Sequence, residues 1–168
     1  MSRKRIKRIG LLGLGKMGFP LALNLRDHKF EVVAYDPAPA VRKRAAREPG
    51  IIAAAGEAEL AGRLERPRVI WLMVPAGAPT DAAIGALLPY LSPGDVIIDG
   101  GNSNFKDSIR RHAALEKKGL RFLDCGTSGG TNGARRGACT MIGGDPAVYE
   151  LCRPVFQAVS LPDRKSVV

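Results

Sequence analysis

The chain has 168 residues, 45% hydrophobic and 25% charged, with twenty glycines and twelve prolines. That balance fits one globular domain with a real core and many tight turns. No apolar run reaches the roughly 18 residues a membrane helix needs, and the basic start "MSRKRIKRIGLLGLG" lacks the unbroken apolar stretch and cleavage site of a signal peptide. The net charge is +10, with five basic residues among the first eight and the rest spread thinly. The eight Phe and Tyr residues do not interleave with the basic ones. We therefore expect a solvated basic surface and a small anionic ligand, with no nucleic-acid or membrane partner. Three cysteines (Cys125, Cys139, Cys152) have no close pairing in sequence and read as reduced thiols of a cytoplasmic protein, with no metal site.

In chain order, "RIGLLGLG" is a short apolar run closed by glycine, a buried strand. "KMGFPLALNLRDH" follows with Met17, Leu21 and Leu25 at helical spacing. "FEVVAYD" is a second strand, and "PAPAVRKRAARE" a helix opened by proline. "RVIWLMV" is the next strand and "DAAIGALLPYL" the next helix. "DVIIDGG" is a strand, "NFKDSIRRHAALEKKG" a helix and "LRFLDCG" a strand. A second glycine run, "GTSGGTNGARRG", reads as a loop; "ACTMIGG" reads as a strand and "DPAVYELCRPVFQAVS" as a closing helix. Strand and helix alternate, and the strands are continuous apolar runs. This predicts an α/β fold, a Rossmann-type doubly wound and mostly parallel sheet with both faces covered.

The first glycine run, Gly13, Leu14, Gly15, Lys16, Met17 and Gly18, follows a predicted strand and opens a predicted helix. Asp36 ends the second strand twenty-three residues after Gly13, against an expected gap of about 20. Gly13 allows the tight turn, Gly15 the approach of a pyrophosphate, and Gly18 the packing of helix on strand. The helix N-terminus offers free N–H groups to the anion. Asp36 can accept from both adenosine ribose hydroxyls and would repel a 2′-phosphate, so NAD is expected over NADP; Arg42, Lys43 and Arg44 weigh the other way. Val74, Pro75 and Ala76 lie beyond the end of a central strand, where small apolar residues suit either a nicotinamide or a plain turn. Asn102 lies beyond the next strand, as a polar contact or a cap for the helix that follows.

Together "GLGKMGFPLALNL", "YDP", "MVPAG", "IDGGNSNFKDS" and "DCGTSGGTNGARRGACTMIGG" resemble the 6-phosphogluconate dehydrogenases of the β-hydroxyacid dehydrogenase superfamily, over roughly residues 7–160. Relatives acting on hydroxyisobutyrate typically carry an aspartate-x-serine-threonine segment where this chain reads "DGGNS". "YDP" and "GTSGG" resemble the NAD-preferring branch. The resemblance implies that Gly13–Gly18, Asp36, Val74, Pro75 and Ala76 meet the cofactor. It implies that Asn102 touches cofactor and substrate, and that Ser128, Gly129 and Gly130 hold the substrate. It also implies NAD-dependent oxidative decarboxylation of a sugar-acid phosphate, 6-phosphogluconate, to ribulose 5-phosphate, without metal, in a full-length protein that forms homo-oligomers.

The catalytic lysine and glutamate of that family stand in a later, all-helical domain. No catalytic residue is therefore assigned in this chain, which is expected to stop before that domain and to be inactive alone. Residues 1–162 are expected to form the NAD-binding domain, and 163–168 a tail foreign to the family, of artefactual origin. Two alternatives remain: a dehydrogenase for a smaller β-hydroxy acid, and a stand-alone NAD-binding module without turnover.

Overall fold

The computed structural model describes residues 6–161. Seven strands form one sheet in the order β3-β2-β1-β4-β5-β6-β7. The strands are β1 (Arg8–Leu12), β2 (Glu31–Tyr35), β3 (Ile51–Ala53), β4 (Val69–Leu72), β5 (Val96–Asp99), β6 (Arg121–Ser128) and β7 (Cys139–Gly144). The helices are α1 (Gly18–Asp27), α2 (Pro39–Ala45), α3 (Glu57–Gly62), α4 (Ala78–Leu87), α5 (Phe105–Glu116), α6 (Gly130–Arg136) and α7 (Pro146–Val159). The first six strands pair in parallel, and β7 runs antiparallel to β6, with Leu123 opposite Gly144 and Ser128 opposite Cys139. The doubly wound architecture expected from the alternation is present.

Every residue of β4 and β5 is buried, as continuous apolar runs demand when helices cover both faces. One core layer gathers Ile9, Leu11, Trp71 and Ile98 with Leu21 and Leu25 of α1 and Phe156 of α7. The other gathers Leu12, Ile70, Leu72 and Ile97 with Ile84 and Leu87 of α4 and Leu115 of α5. Successive strand residues thus alternate between two cores.

Two elements went unforeseen, β3 and α3, and a third replaces an expected loop. The second glycine run does not stay irregular: β6 extends through Ser128, and Gly130–Arg136 coil into α6. The short helix is fastened to α1, where Asn24 Nδ2 donates to the Ala134 carbonyl at 3.1 Å and Arg135 pairs with Asp27 at 2.7 Å. Arg135 thereby helps to hold α6 against α1. The run "RIGLL" is β1 itself; Met1–Arg5 and the expected tail 163–168 lie outside the described residues. No helix among the described residues is long and apolar enough to cross a membrane, and no cluster of metal-ligating side chains occurs among them.

Candidate functional site

The strand order reverses between β1 and β4, since β2 and β3 lie to one side and β4 to β7 to the other. A doubly wound sheet binds ligands in the crevice outside the carboxyl ends of its strands at that switch point. The predicted residues lie along a rim of strand ends on that side, joined by hydrogen bonds at Asp36–Leu14 and Asn102–Thr127 and by close approach of the turns between them.

At the β2 end, Asp36 accepts from the backbone N–H of Leu14 at 2.8 Å through Oδ2 and from that of Ala38 at 2.9 Å through Oδ1. The acid is thereby pinned at the mouth of the β1–α1 turn. A carboxylate has about four lone-pair sites, so two remain for a ribose. Of the three basic residues nearby, Arg42 donates to the carbonyls of Asp36 and Pro37 at 2.7 and 2.8 Å. Arg44 lies 3.9 Å from the centre of the Phe19 ring, while Lys43 is exposed.

The three glycines of the turn have three different reasons. Gly13 has φ +97°, and a Cβ there would lie 2.5 Å from the Met73 carbonyl oxygen and 3.1 Å from Val74 Cγ1. A Cβ on Gly18 would run into the Gly13 carbonyl. Gly15 differs: it is exposed, and a Cβ on it would meet nothing within 4 Å. No contact among the described residues accounts for its bare backbone, which lies open at the mouth of the turn. The helix behind it suits an anion. Met17 stands at the N-cap of α1 with no side-chain cap bond, and no acid occupies the first turn. Lys16 is exposed beside it.

Beyond β4, Val74 is half-buried while Pro75 and Ala76 are exposed. This turn is closed by Thr80 Oγ1 donating to the Pro75 carbonyl at 2.9 Å. The β5–α5 turn presses against it: a Cβ on Gly101 would lie 2.6 Å from the Val74 carbonyl oxygen. Gly100 is kept bare by the Trp71 indole and by Met73 Sδ, 2.6 Å from where its Cβ would stand. Both glycines of "DGGNS" thus serve the docking of one turn on the other.

Asn102 sits at φ +56°. Its Oδ1 accepts from the Thr127 N–H at 2.9 Å, and its Nδ2 donates to the Thr127 carbonyl at 3.4 Å. The capping alternative falls to its neighbour instead, since Asn104 is the N-cap of α5 and accepts from the Lys106 N–H at 2.9 Å. Asn102 therefore splices the β5–α5 turn to the end of β6, where Ser128, Gly129 and Gly130 are exposed. Gly129 and Gly130 have φ +123° and +59°, which the reversal from β6 into α6 requires. Their being glycine has a conformational cause and is not by itself a sign of a ligand.

Outside this rim, a groove of about 700 Å³ runs between α5, β6 and the β7–α7 turn, lined by Phe105, Ile109, His112, Asp124, Pro146 and others. Burial lifts the Asp124 carboxyl above its usual range, against a hydrogen bond from Ser108 Oγ at 2.9 Å that pulls it down. One residue here was not foreseen from the sequence: Arg111, whose guanidinium lies beneath the two central turns. As one of two adjacent arginines in a helix rich in charge, it gave no signal.

A mostly parallel doubly wound sheet with a bare glycine turn, an uncapped helix and an acid at the next strand end defines a dinucleotide-binding domain. Residues 8–165 match the model of the NAD binding domain of 6-phosphogluconate dehydrogenase, and the chain belongs to that family. It is similar to the decarboxylating 6-phosphogluconate dehydrogenase of Aggregatibacter actinomycetemcomitans, 48% identical over 156 residues, covering 90% of this chain and 32% of the relative. Among solved structures it is similar to Plasmodium falciparum 6-phosphogluconate dehydrogenase, determined with its cofactor NADP+ and with its substrate 6-phosphogluconate. That match has a TM-score of 0.83 and 34% identity, over 91% of this chain and 34% of the other. Mycobacterium tuberculosis 3-hydroxyisobutyrate dehydrogenase is similar too, with a TM-score of 0.81 and 29% identity over 92% of this chain and 52% of the other. The chain spans about a third of the length of the curated relatives it matches first.

Proposed function

We propose that this chain is the cofactor-binding part of an NAD-dependent, decarboxylating 6-phosphogluconate dehydrogenase. The observation that carries the reading is the rim from Asp36 through the glycine turn, Val74–Ala76 and Asn102 to Ser128. Gly13–Gly18 and the α1 N-terminus receive the pyrophosphate, and Asp36 the adenosine ribose. Val74, Pro75 and Ala76 lie along the nicotinamide, Asn102 stands between cofactor and substrate, and Ser128, Gly129 and Gly130 meet the sugar acid.

The preference for NAD rests on Asp36, whose fixed carboxylate opposes a 2′-phosphate. Arg42 and Arg44 are already engaged with backbone carbonyls and a ring, which reduces what they offer such a phosphate.

Bound on this rim, the nicotinamide supplies the hydride acceptor for oxidation of the substrate's C3 hydroxyl. The β-keto acid so formed loses carbon dioxide, and the enediol is protonated at carbon to give ribulose 5-phosphate. The side chains proposed to meet the substrate, Asn102 and Ser128, orient it by hydrogen bonds. Neither exchanges a proton near neutral pH, so proton transfer falls to groups elsewhere in the full-length enzyme. This chain alone is expected to bind the dinucleotide without turning over 6-phosphogluconate.

Titration with NADH and NADPH, repeated on Asp36→Ala, tests the reading. NADH should bind more tightly, and the substitution should erase most of the difference. A preference unchanged by the substitution would place Asp36 away from the ribose.

A further inference from the structure

We propose that Arg111 is a positioning residue for the nicotinamide half of the bound dinucleotide, acting by stapling the β4–α4 and β5–α5 turns together from beneath. This deepens, and rests on, the reading of the rim as a dinucleotide site.

An arginine in the middle of a surface helix normally keeps its head in water. Arg110 does so, with its side chain 55% exposed, whereas that of Arg111 is 2% exposed. Its guanidinium makes four contacts, and they go to different parts of the rim. Nη2 donates to the Gly77 carbonyl at 2.9 Å, at the close of the β4–α4 turn. Nη1 donates to Ser103 Oγ at 2.9 Å and to Asp99 Oδ2 at 3.2 Å, on the β5–α5 side. Nε donates to Asp81 Oδ1 at 2.8 Å, in the first turn of α4.

Asp99 is itself fully buried and accepts from the Gly101 N–H at 3.0 Å and from Ser103 Oγ at 2.7 Å. One side chain therefore fixes both turns that carry the proposed nicotinamide contacts. The planar fork is what allows this, since a lysine ammonium on one stem cannot span the same set of acceptors. A core filler would not need it: an apolar replacement of a buried ion pair is often neutral or better for stability. The four hydrogen bonds of Arg111 go to Gly77, Asp81, Asp99 and Ser103, none of which lies at Asp36 or in the β1–α1 turn. Its loss should therefore displace one end of the ligand's bed and leave the other.

The test compares NADH with ADP-ribose, which lacks the nicotinamide, on this chain by calorimetry, with nicotinamide fluorescence as a second signal. The variants are Arg111→Lys and the pair Arg111→Met with Asp99→Asn, which leaves no buried unpaired charge. Wild type should bind both ligands. The variants should hold ADP-ribose within about twofold and lose NADH affinity by about tenfold or more, because small misplacements of a binding group are costly. The fluorescence gain of bound NADH should fall with it, and the lysine variant should lose less than the paired one.

Equal weakening of both ligands, unchanged NADH affinity, or failure of both variants to fold would overturn the proposal and leave Arg111 a structural residue. A wild type that binds neither ligand would remove the dinucleotide reading first, and this proposal with it.

Discussion

Replacing each of two glycines in one turn by alanine should give opposite phenotypes. In Gly13→Ala the new methyl stands 2.5 Å from the Met73 carbonyl oxygen, where a carbon and an oxygen ordinarily keep about 3.3 Å. About 0.8 Å must be found by parting backbone that is hydrogen-bonded on both sides. Met73 N donates to the Leu12 carbonyl at 2.7 Å, and Gly13 N to the Tyr35 carbonyl at 2.8 Å. Overpacking costs about 1–3 kcal/mol, and an L-residue at positive φ about 1–2 more. A loss of roughly 2–5 kcal/mol lowers Tm by roughly 4–20 °C in a chain of this size.

In Gly15→Ala the methyl meets no protein atom within 4 Å. Stability should stay within about 0.5 kcal/mol, as at most open surface positions. NADH affinity should nevertheless drop by about tenfold or more, equivalent to about 1.4 kcal/mol, because the methyl occupies the space of the pyrophosphate. Thermal melting and NADH titration of both variants read this directly. Wild-type NADH affinity in Gly15→Ala would refute the reasoning, as would a wild-type melting temperature in Gly13→Ala.

Other outcomes follow from burial. The folded-state carboxyl of Asp124 titrates above its usual range because it is desolvated. Its contribution is therefore favourable below the ordinary carboxylate range and is lost as pH rises through the raised value. Asp124→Asn, which can still accept from Ser108, should melt higher than wild type near neutral pH and show no such gain in acid; a lower Tm at neutral pH would contradict this. Burial pushes the Cys125 and Cys152 thiols up to about 12, while Cys139 is exposed. A thiol reagent should label one cysteine in the native chain and three after denaturation; fast labelling of Cys125 or Cys152 would show that the core opens there.

The sheet was legible because its strands are unbroken apolar runs and its first turn has fixed chemistry. Asp36 and the Gly13–Gly18 turn follow from spacing alone. The parts that were not legible are those set by tertiary contacts. Ile51–Ala53 form a strand only because β2 offers Val32–Ala34 as partners, and α3 is six residues long, too short to show a period. Helix α6 carries glycine at two of its seven positions, against propensity, and its attachment to α1 through Asn24 and Arg135 holds it. Asn102 reads as a polar contact or a cap, and only the fold shows that it reaches across to Thr127 while Asn104 caps α5. Nothing in the sequence sets Arg111 apart from Arg110 until the two turns close over it.

The function proposed for this chain requires a dinucleotide to lie across this rim with its adenosine ribose at Asp36. Calorimetric titration of the chain with NADH, NADPH and ADP-ribose measures that directly. Saturable one-to-one binding of NADH and ADP-ribose, both tighter than NADPH, is the predicted result. Absence of heat with all three, or NADPH binding more tightly than NADH, would contradict it.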